Sequence, residues 1–304
     1  MTRYLDICDR LCQAIADGEL APGAPLPSVR ELARRDATTP TTVARAYAEL
    51  ARAGVIVTAP RRVACVATDG PSMARRRLLG DRALLLAGSD DPLLDVLVAV
   101  AGEAVAPREA RGSFGGLTAL WSRRAQAATL HLWHVDGEHN APYAARVLAD
   151  RRPLLVSLWR REQGILVPPG NPRGVADAGD LARVRVAQRR VGTGTRALVD
   201  RLVDQAGHGA DAVRGPEVDS HLDVALAVAA GVAEAGVAVR GAATAIGVDF
   251  VPLLWEPFDL VLDGDDLAVA TPLLEALQHE DVRTRAAALG GYDLVGAGSV
   301  RALG

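Results

Sequence analysis

The sequence predicts two unlike parts: a small helical domain ending in a two-stranded ribbon over residues 1–68, and a two-lobed α/β domain over residues 83–304, with residues 69–82 as the linker. Three observations carry this. Apolar residues recur at helical spacing through residue 53 and then give way to two short β-type runs. From residue 83 onward, short apolar runs alternate with helical segments, and some 220 residues give room for two lobes. Charge is divided the same way. Residues 1–77 hold 12 Arg against 8 Asp and Glu, the remainder 22 Arg against 29, which together make the net charge of −3.

Hydrophobic residues at 49% and charged residues at 23% exclude wholesale disorder. Aromatics at 4% mean that Leu, Val and Ala build the core. The chain has no Lys, so every basic side chain is Arg. The start, MTRYLDICDRL, lacks the apolar centre of a signal peptide, and no 18-residue apolar run follows, so the protein reads as cytoplasmic with no membrane partner. Cys8, Cys12 and Cys65 are odd in number; Cys8 and Cys12 fall on the apolar face of a helix and read as core residues.

The first helix spans Tyr4 to Ala16, with Leu5, Cys8, Leu11, Cys12 and Ile15 on one face, and ends at Asp17-Gly18. After a proline-rich turn, Ser28 caps a second helix reaching about Arg35, with Glu31 placed for a capping box. Pro40 opens a third helix, through about Ala53, whose inner face is Val43, Ala46, Tyr47 and Leu50. Val55–Thr58 and Val63–Ala67 then read as strands around a tip at Ala59-Pro-Arg-Arg62. This order is that of a winged helix-turn-helix. Its third helix fits the DNA major groove, bringing Thr41, Thr42 and Arg45 to base edges. Arg30 reaches a phosphate or a guanine, and Arg61 and Arg62 at the wing tip reach the backbone or minor groove.

The stretch from LxxGxLxPGxxLPSVRELA through TTPTTVARAYAELARAGVI resembles the GntR family of bacterial transcription regulators over residues 4–67, closest to its short-form subgroup. The family's Gly-rich wing is replaced here by Ala-Pro-Arg-Arg. The resemblance implies operator DNA as a partner.

In the larger part, Ala83–Ala87, Ala128–Leu132, Leu154–Trp159, Ile165–Val167, Val184–Ala187, Ala235–Val239, Val251–Leu254 and Leu260–Leu262 read as strands. Pro92–Ala101, Gly116–Ala127, Ala141–Ala149, Thr195–Ala206, Leu222–Ala230, Gly241–Ile246 and Leu267–Gln278 read as helices, giving mainly parallel sheets. Several strand-to-helix junctions carry small polar residues: Ser89 and Asp90, Ser113, and Thr193, Thr195 and Arg196. Each junction offers unpaired backbone N–H groups and a positive helix end, hence a place for an anion, and converging junctions make a polar pocket between lobes. Taken singly, each hydroxyl also serves as an ordinary helix cap. The histidines His131, His134 and His139 leave three readings open: a metal, ligand hydrogen bonding by His131, or structure.

AGSDDPLLD, GSFGGLTAL, LHLWHVDGEHNAPYAARVL, WRREQGILVPPGNPRGV, QRRVGTGTR and ALGGYD resemble the periplasmic-binding-protein-like domain of the molybdate- and tungstate-binding branch, over about residues 84–294. That resemblance implies a small effector held between hinged lobes by hydroxyls and helix N-termini. Ser89, Ser113, Thr193, Thr195 and Arg196 are its positional candidates; Asp90, at the same junction as Ser89, and His131, near the inter-lobe region, join them as ligand-binding candidates, and Gln163 lies where relatives cross between lobes. The departure around Trp133-His134 bears on which ligand it is.

No nucleophile elbow, HExxH or CxxC is present, so the chain is not read as an enzyme, and no metal or cofactor is called for. The expectation is a ligand-responsive bacterial transcription regulator, a homodimer on two half-sites, whose effector is an oxyanion such as molybdate or tungstate or a small organic acid. The alternative is an intracellular binding protein for an oxyanion or small metabolite with a vestigial DNA module.

Overall fold

The computed structural model describes residues 3–59, 63–68, 70–79, 83–106, 109–110 and 112–303. The chain divides into two compact units, Met1–Ala83 and Leu84–Gly304.

In the first unit, helices α1 (Arg3–Ala16), α2 (Val29–Arg35) and α3 (Pro40–Arg52) precede strands β1 (Ile56–Val57) and β2 (Cys65–Val66), which pair antiparallel. The Ser28 hydroxyl accepts from Glu31 N at 3.2 Å to start α2, and Thr39 accepts from Thr42 N at 3.2 Å to start α3. The helical spacing read from the sequence puts Ile7, Cys8, Leu11, Cys12 and Ile15 of α1 in one core with Leu32, Val43, Ala46, Tyr47, Leu50 and Val66. The stretch expected as a linker differs. Gly70–Leu79 is a helix, α4, packed on α1, with Ala74 fully buried in the same core. Its first residue must be glycine-sized, because a Cβ on Gly70 would lie 2.6 Å from Val55 O.

The second unit opens with β3 (Leu86–Gly88), α5 (Pro92–Ala101), β4 (Glu109–Ala110), α6 (Gly112–Trp121), β5 (Ala127–Leu130) and α7 (Ala141–Val147). The long strand β6 (Pro153–Val167) then carries the chain into β7 (Val186–Arg189), α8 (Gly194–Gln205), β8 (Glu217–Val218), α9 (His221–Ala229), β9 (Ala235–Val239) and α10 (Arg240–Ile246). A second long strand, β10 (Asp249–Asp263), returns it, followed by α11 (Leu267–Ala276), α12 (Glu280–Leu289), β11 (Tyr292–Asp293) and β12 (Val300–Ala302).

The strand order β4-β3-β5-β10-β6-β9-β7-β8 makes the architecture plain. Strands β3, β4 and β5 run parallel and form lobe 1; β7, β8 and β9 run parallel and form lobe 2. The two long strands lie antiparallel to each other and to the strands they join, so the sheet is mixed rather than mainly parallel. Each long strand had been expected as two short pieces. Arg160–Gln163 and Trp255–Pro257 look like polar breaks, yet they pair with each other at mid-strand, Glu256 opposite Arg161 and Trp255 opposite Glu162. Lobe 1 is packed by Leu93, Leu94, Leu97 and the stacked Trp159 and Phe258 rings, 5.3 Å apart. Lobe 2 is packed by Val186, Val199, Val203 and Val237 on one face and by Val224, Val228 and Ala242 on the other.

Candidate functional site

The centre of the second unit is where the carboxyl ends of β3, β5 and β7 meet the middle of the two long strands. Gly88 ends β3 at φ +108, and a Cβ there would stand 2.3 Å from Thr129 O, so the chain turns tightly against β5. That turn presents Ser89, Asp90 and Asp91. Ser89 and Ser113, the latter in the first turn of α6, join their hydroxyls at 2.7 Å. Ser113 Oγ also accepts from His131 N, at 3.3 Å, just past the end of β5. From lobe 2, the N-terminus of α8 closes against this group: Phe114 N donates to Gly192 O, and a Cβ on Gly194 would fall 2.6 Å from His131 Cε1.

The long strands supply the charge. Arg161, with no exposed surface, donates from Nε to Glu256 Oε1 at 3.0 Å and from Nη1 to Asp91 Oδ2 at 2.7 Å. Asp91 is also the cap of α5, accepting from Leu93 N, and it accepts from Tyr292 Oη at 2.9 Å. Gln163 Nε2 donates to both Glu256 Oε1, at 2.9 Å, and Thr195 Oγ1, at 3.1 Å. His131 Nδ1 lies 3.0 Å from Glu256 Oε1. Across the lobes, Arg189 Nη2 donates to Asp90 Oδ1 at 2.5 Å, and His221 N, at the start of α9, donates to Asp90 Oδ2 at 2.9 Å.

Burial and pairing set the charge states. Burial raises the proton affinity of the Glu256 carboxyl, but His131 and Arg161 beside it outweigh that and hold it at about 2. Asp90 is held well below the usual carboxylate range: His221 and Arg189 overcome its burial. Burial drives both imidazoles the other way. His131 is lowered and His221 is lowered well below the ordinary value, so both are neutral at pH 7. Among the described residues, the carboxyl groups of Asp90, Asp91 and Glu256 face the guanidiniums of Arg161 and Arg189. The buried atoms of this cluster that make no hydrogen bond among the described residues are the donors Arg161 Nη2 and Arg189 Nε, the acceptor Gln163 Oε1, His131 Nδ1, and both ring nitrogens of His221, one a donor and one an acceptor in the neutral ring. A guest supplying acceptor atoms meets the unmet need of this cluster.

Of the residues expected at the site, Ser89, Asp90, Ser113, His131 and Thr195 come together. Thr193 is buried beside them but serves as the α8 cap, accepting from Arg196 N and donating to Arg190 O. Arg196 does not join: its guanidinium pairs with Asp200 one turn along α8, at 2.9 Å, on the partly exposed side of the helix. His134 and His139 lie apart from the cluster, against Asp136 and Trp133. Sequence reasoning missed Asp91, Arg161, Arg189, His221, Glu256 and Tyr292. One signal was available: RREQ stands between two apolar runs that together have the length of one long strand.

In the first unit, Arg30, Thr41 and Arg45 are exposed. Arg45 lies 4.0 Å over the Tyr4 ring, and Thr42 is half-buried with its hydroxyl 2.9 Å from that of Thr39. Arg61 and Arg62 fall outside the described residues.

A PBP superfamily domain matches residues 100–278. The chain belongs to that superfamily. Residues 3–66 match the bacterial regulatory proteins of the gntR family, so a GntR helix-turn-helix domain precedes the PBP-like domain. The uncharacterized protein YvgK of Bacillus subtilis (strain 168) is 32% identical over 61% of this chain and 62% of its own length. The uncharacterized HTH-type transcriptional regulator YhcF of the same organism is 42% identical over 18% of this chain and 46% of its own length. The chain thus spans less than two thirds of either relative. A phosphate ABC transporter substrate-binding protein from Clostridium perfringens, solved with bound phosphate, superposes with a TM-score of 0.54 at 12% identity, over 70% of this chain and 99% of its own. That likeness establishes the two-lobed fold. No described helix is long and apolar enough to cross a membrane.

Proposed function

We propose that this protein is a ligand-responsive transcription regulator of the bacterial cytoplasm. Its winged helix binds operator DNA, and its PBP-like domain binds a small anionic effector between the lobes. The observation that carries this reading is the buried cluster of unmet hydrogen-bonding groups around Arg161, Arg189 and His221, in a chain whose other unit is a GntR helix-turn-helix domain. Effector binding favours one lobe arrangement, and the change in population alters the spacing of the DNA-binding units of a homodimer. Ser89, Ser113, His131 and Thr195 line the effector site with Gln163; Arg30, Thr41, Thr42 and Arg45 face DNA, with Arg61 and Arg62 at the wing tip.

Two effector classes fit donors of this kind. A tetrahedral oxyanion such as molybdate or tungstate is met by hydroxyls and backbone N–H groups; a small organic acid is met by the guanidiniums. Calorimetry with molybdate, tungstate, sulfate, phosphate and a panel of small carboxylates is the test. Saturable binding of one class is expected, and silence from all would refute the inter-lobe site. For DNA, Arg45→Ala is expected to cost about 1–3 kcal/mol of operator binding. Unchanged affinity for upstream DNA in both Arg30→Ala and Arg45→Ala proteins would end the assignment.

A further inference from the structure

The contact made by Asp90 is unlike the others in the cluster. The residue belongs to lobe 1, on the turn after β3, but both of its oxygens are bound by lobe 2: Oδ1 by Arg189 Nη2 at 2.5 Å and Oδ2 by His221 N at 2.9 Å. The receptor is built. Arg189 is 4% exposed and is fixed by a second bond from Nη2 to Asp219 O at 2.7 Å. The α9 terminus is fixed by a reciprocal capping box between Ser220 and Asp223. His221, fully buried there, has both ring nitrogens without a partner among the described residues, as has Nε of Arg189. A guanidinium and a helix N-terminus aimed at one carboxylate are the parts of an anion-binding site, here filled by the chain's own side chain.

Charge decides what a guest can do. With His131 and His221 neutral, the described residues of the cluster set Asp90, Asp91 and Glu256 against Arg161 and Arg189, one negative charge in excess among them. Adding a further anion to that buried set is costly, whereas exchanging one carboxylate for another leaves the balance unchanged. Asp91 and Glu256 are enclosed, with side chains 0% and 5% exposed; Asp90, at 13%, is the one at the edge. We infer that Asp90 is a resident carboxylate occupying a carboxylate-binding site on lobe 2, formed by Arg189 and the α9 N-terminus, and that it latches the lobes until a carboxylate ligand takes its place. This rests on the inter-lobe effector site proposed above and narrows its two effector classes to the organic acid.

Chemical rescue in the full-length chain tests it. Asp90→Ala removes the resident carboxylate and vacates its space. Thermal unfolding followed by tryptophan fluorescence is expected to show a midpoint lower by about 10 °C. Sodium formate or acetate is expected to restore it saturably, beyond sodium chloride at equal ionic strength, while leaving the unsubstituted protein unmoved. Adding Arg189→Met is expected to abolish the rescue. A midpoint unchanged by Asp90→Ala, a carboxylate effect no larger than that of chloride, or rescue surviving without Arg189 would overturn the inference. Should Asp90→Ala not fold, Asp90→Asn and Arg189→Met are compared singly and together: the double variant is expected to lose no more than the worse single one, and additive losses would overturn the latch. Neither experiment uses an effector or DNA. Failure here leaves the regulator reading standing; failure of the calorimetry removes the releasing ligand and leaves the Asp90–Arg189 contact between the lobes to be judged by the rescue alone.

Discussion

Ionisable groups are buried in both units, but in opposite states. The core of residues 3–79 encloses Cys8, Cys12 and Tyr47, which burial keeps protonated: Cys12 and Tyr47 are each pushed up to about 12. Tyr47 Oη donates to Pro27 O at 2.7 Å, and Cys8 Sγ to Ala46 O at 3.6 Å. The centre of residues 84–303 instead encloses carboxylates and guanidiniums paired with one another, with two imidazoles that burial holds neutral beside them. A helical core of the first kind does not depend on what its surface meets, which suits a unit whose proposed DNA contacts, Arg30, Thr41 and Arg45, are exposed. A centre of the second kind is poised, because each charge depends on partners that a guest can replace.

The chain supplies separate probes for the two. All four tryptophans lie in the second unit, at 121, 133, 159 and 255; all three cysteines lie in the first, at 8, 12 and 65. Tryptophan fluorescence therefore reports one unit and thiol reactivity the other. The largest expected effect is from Arg161→Met, which leaves Asp91 and Glu256 buried without their shared cation, at a cost of about 3–5 kcal/mol. The fluorescence transition should move down while the reactivity of Cys8 and Cys12 stays protected. Loss of thiol protection in the same variant would show that the contrast between the units is not real.

pH separates them further. The neutral imidazoles bind protons less well folded than unfolded, so the second unit loses stability as pH falls below about 6.5, and Glu256 continues the loss from 4.5 towards about 2. The first unit is expected to weaken at the other end. The Cys12 thiol and the Tyr47 phenol release protons more readily unfolded, from pH 9 and 10 upward, than folded, near 12. Urea midpoints by the two probes should diverge at pH 5 and diverge in the opposite sense at pH 10; parallel curves would contradict this. The smallest effect expected is from Arg196→Ala, which removes a partly exposed pair with Asp200 and should cost less than about 1 kcal/mol with anion binding unchanged.

The same contrast explains what could be read from the sequence. The first unit was legible because its burial follows periodicity: every core residue of α1 sits at helical spacing. The exception was α4, where the run Arg75-Arg76-Arg77 in the sequence concealed the buried Ala74. In the second unit, α5 and β9 were legible end to end, being apolar runs with clear caps. The middle of β6 and β10 was not. Arg161 reads as a surface charge until its partners are known, and these lie 70 and 95 residues away, at Asp91 and Glu256. Junction chemistry found the hydroxyls at Ser89, Ser113 and Thr195 because small polar residues at helix starts are a local signal. It selected Arg196 over Arg189 for the same reason: Arg196 stands in the motif, whereas Arg189 reaches the site only through the end of β7.

The central claim is that the two units act together, one reading DNA and the other an anion. The direct measurement is the affinity of the full-length protein for labelled upstream DNA, by fluorescence anisotropy at fixed salt, with and without a saturating amount of the anion that binds by calorimetry. The account predicts a Kd changed by roughly 5-fold or more, and no change in an Arg189→Met protein that still binds DNA. An anion that binds the protein and leaves the DNA affinity untouched would contradict it.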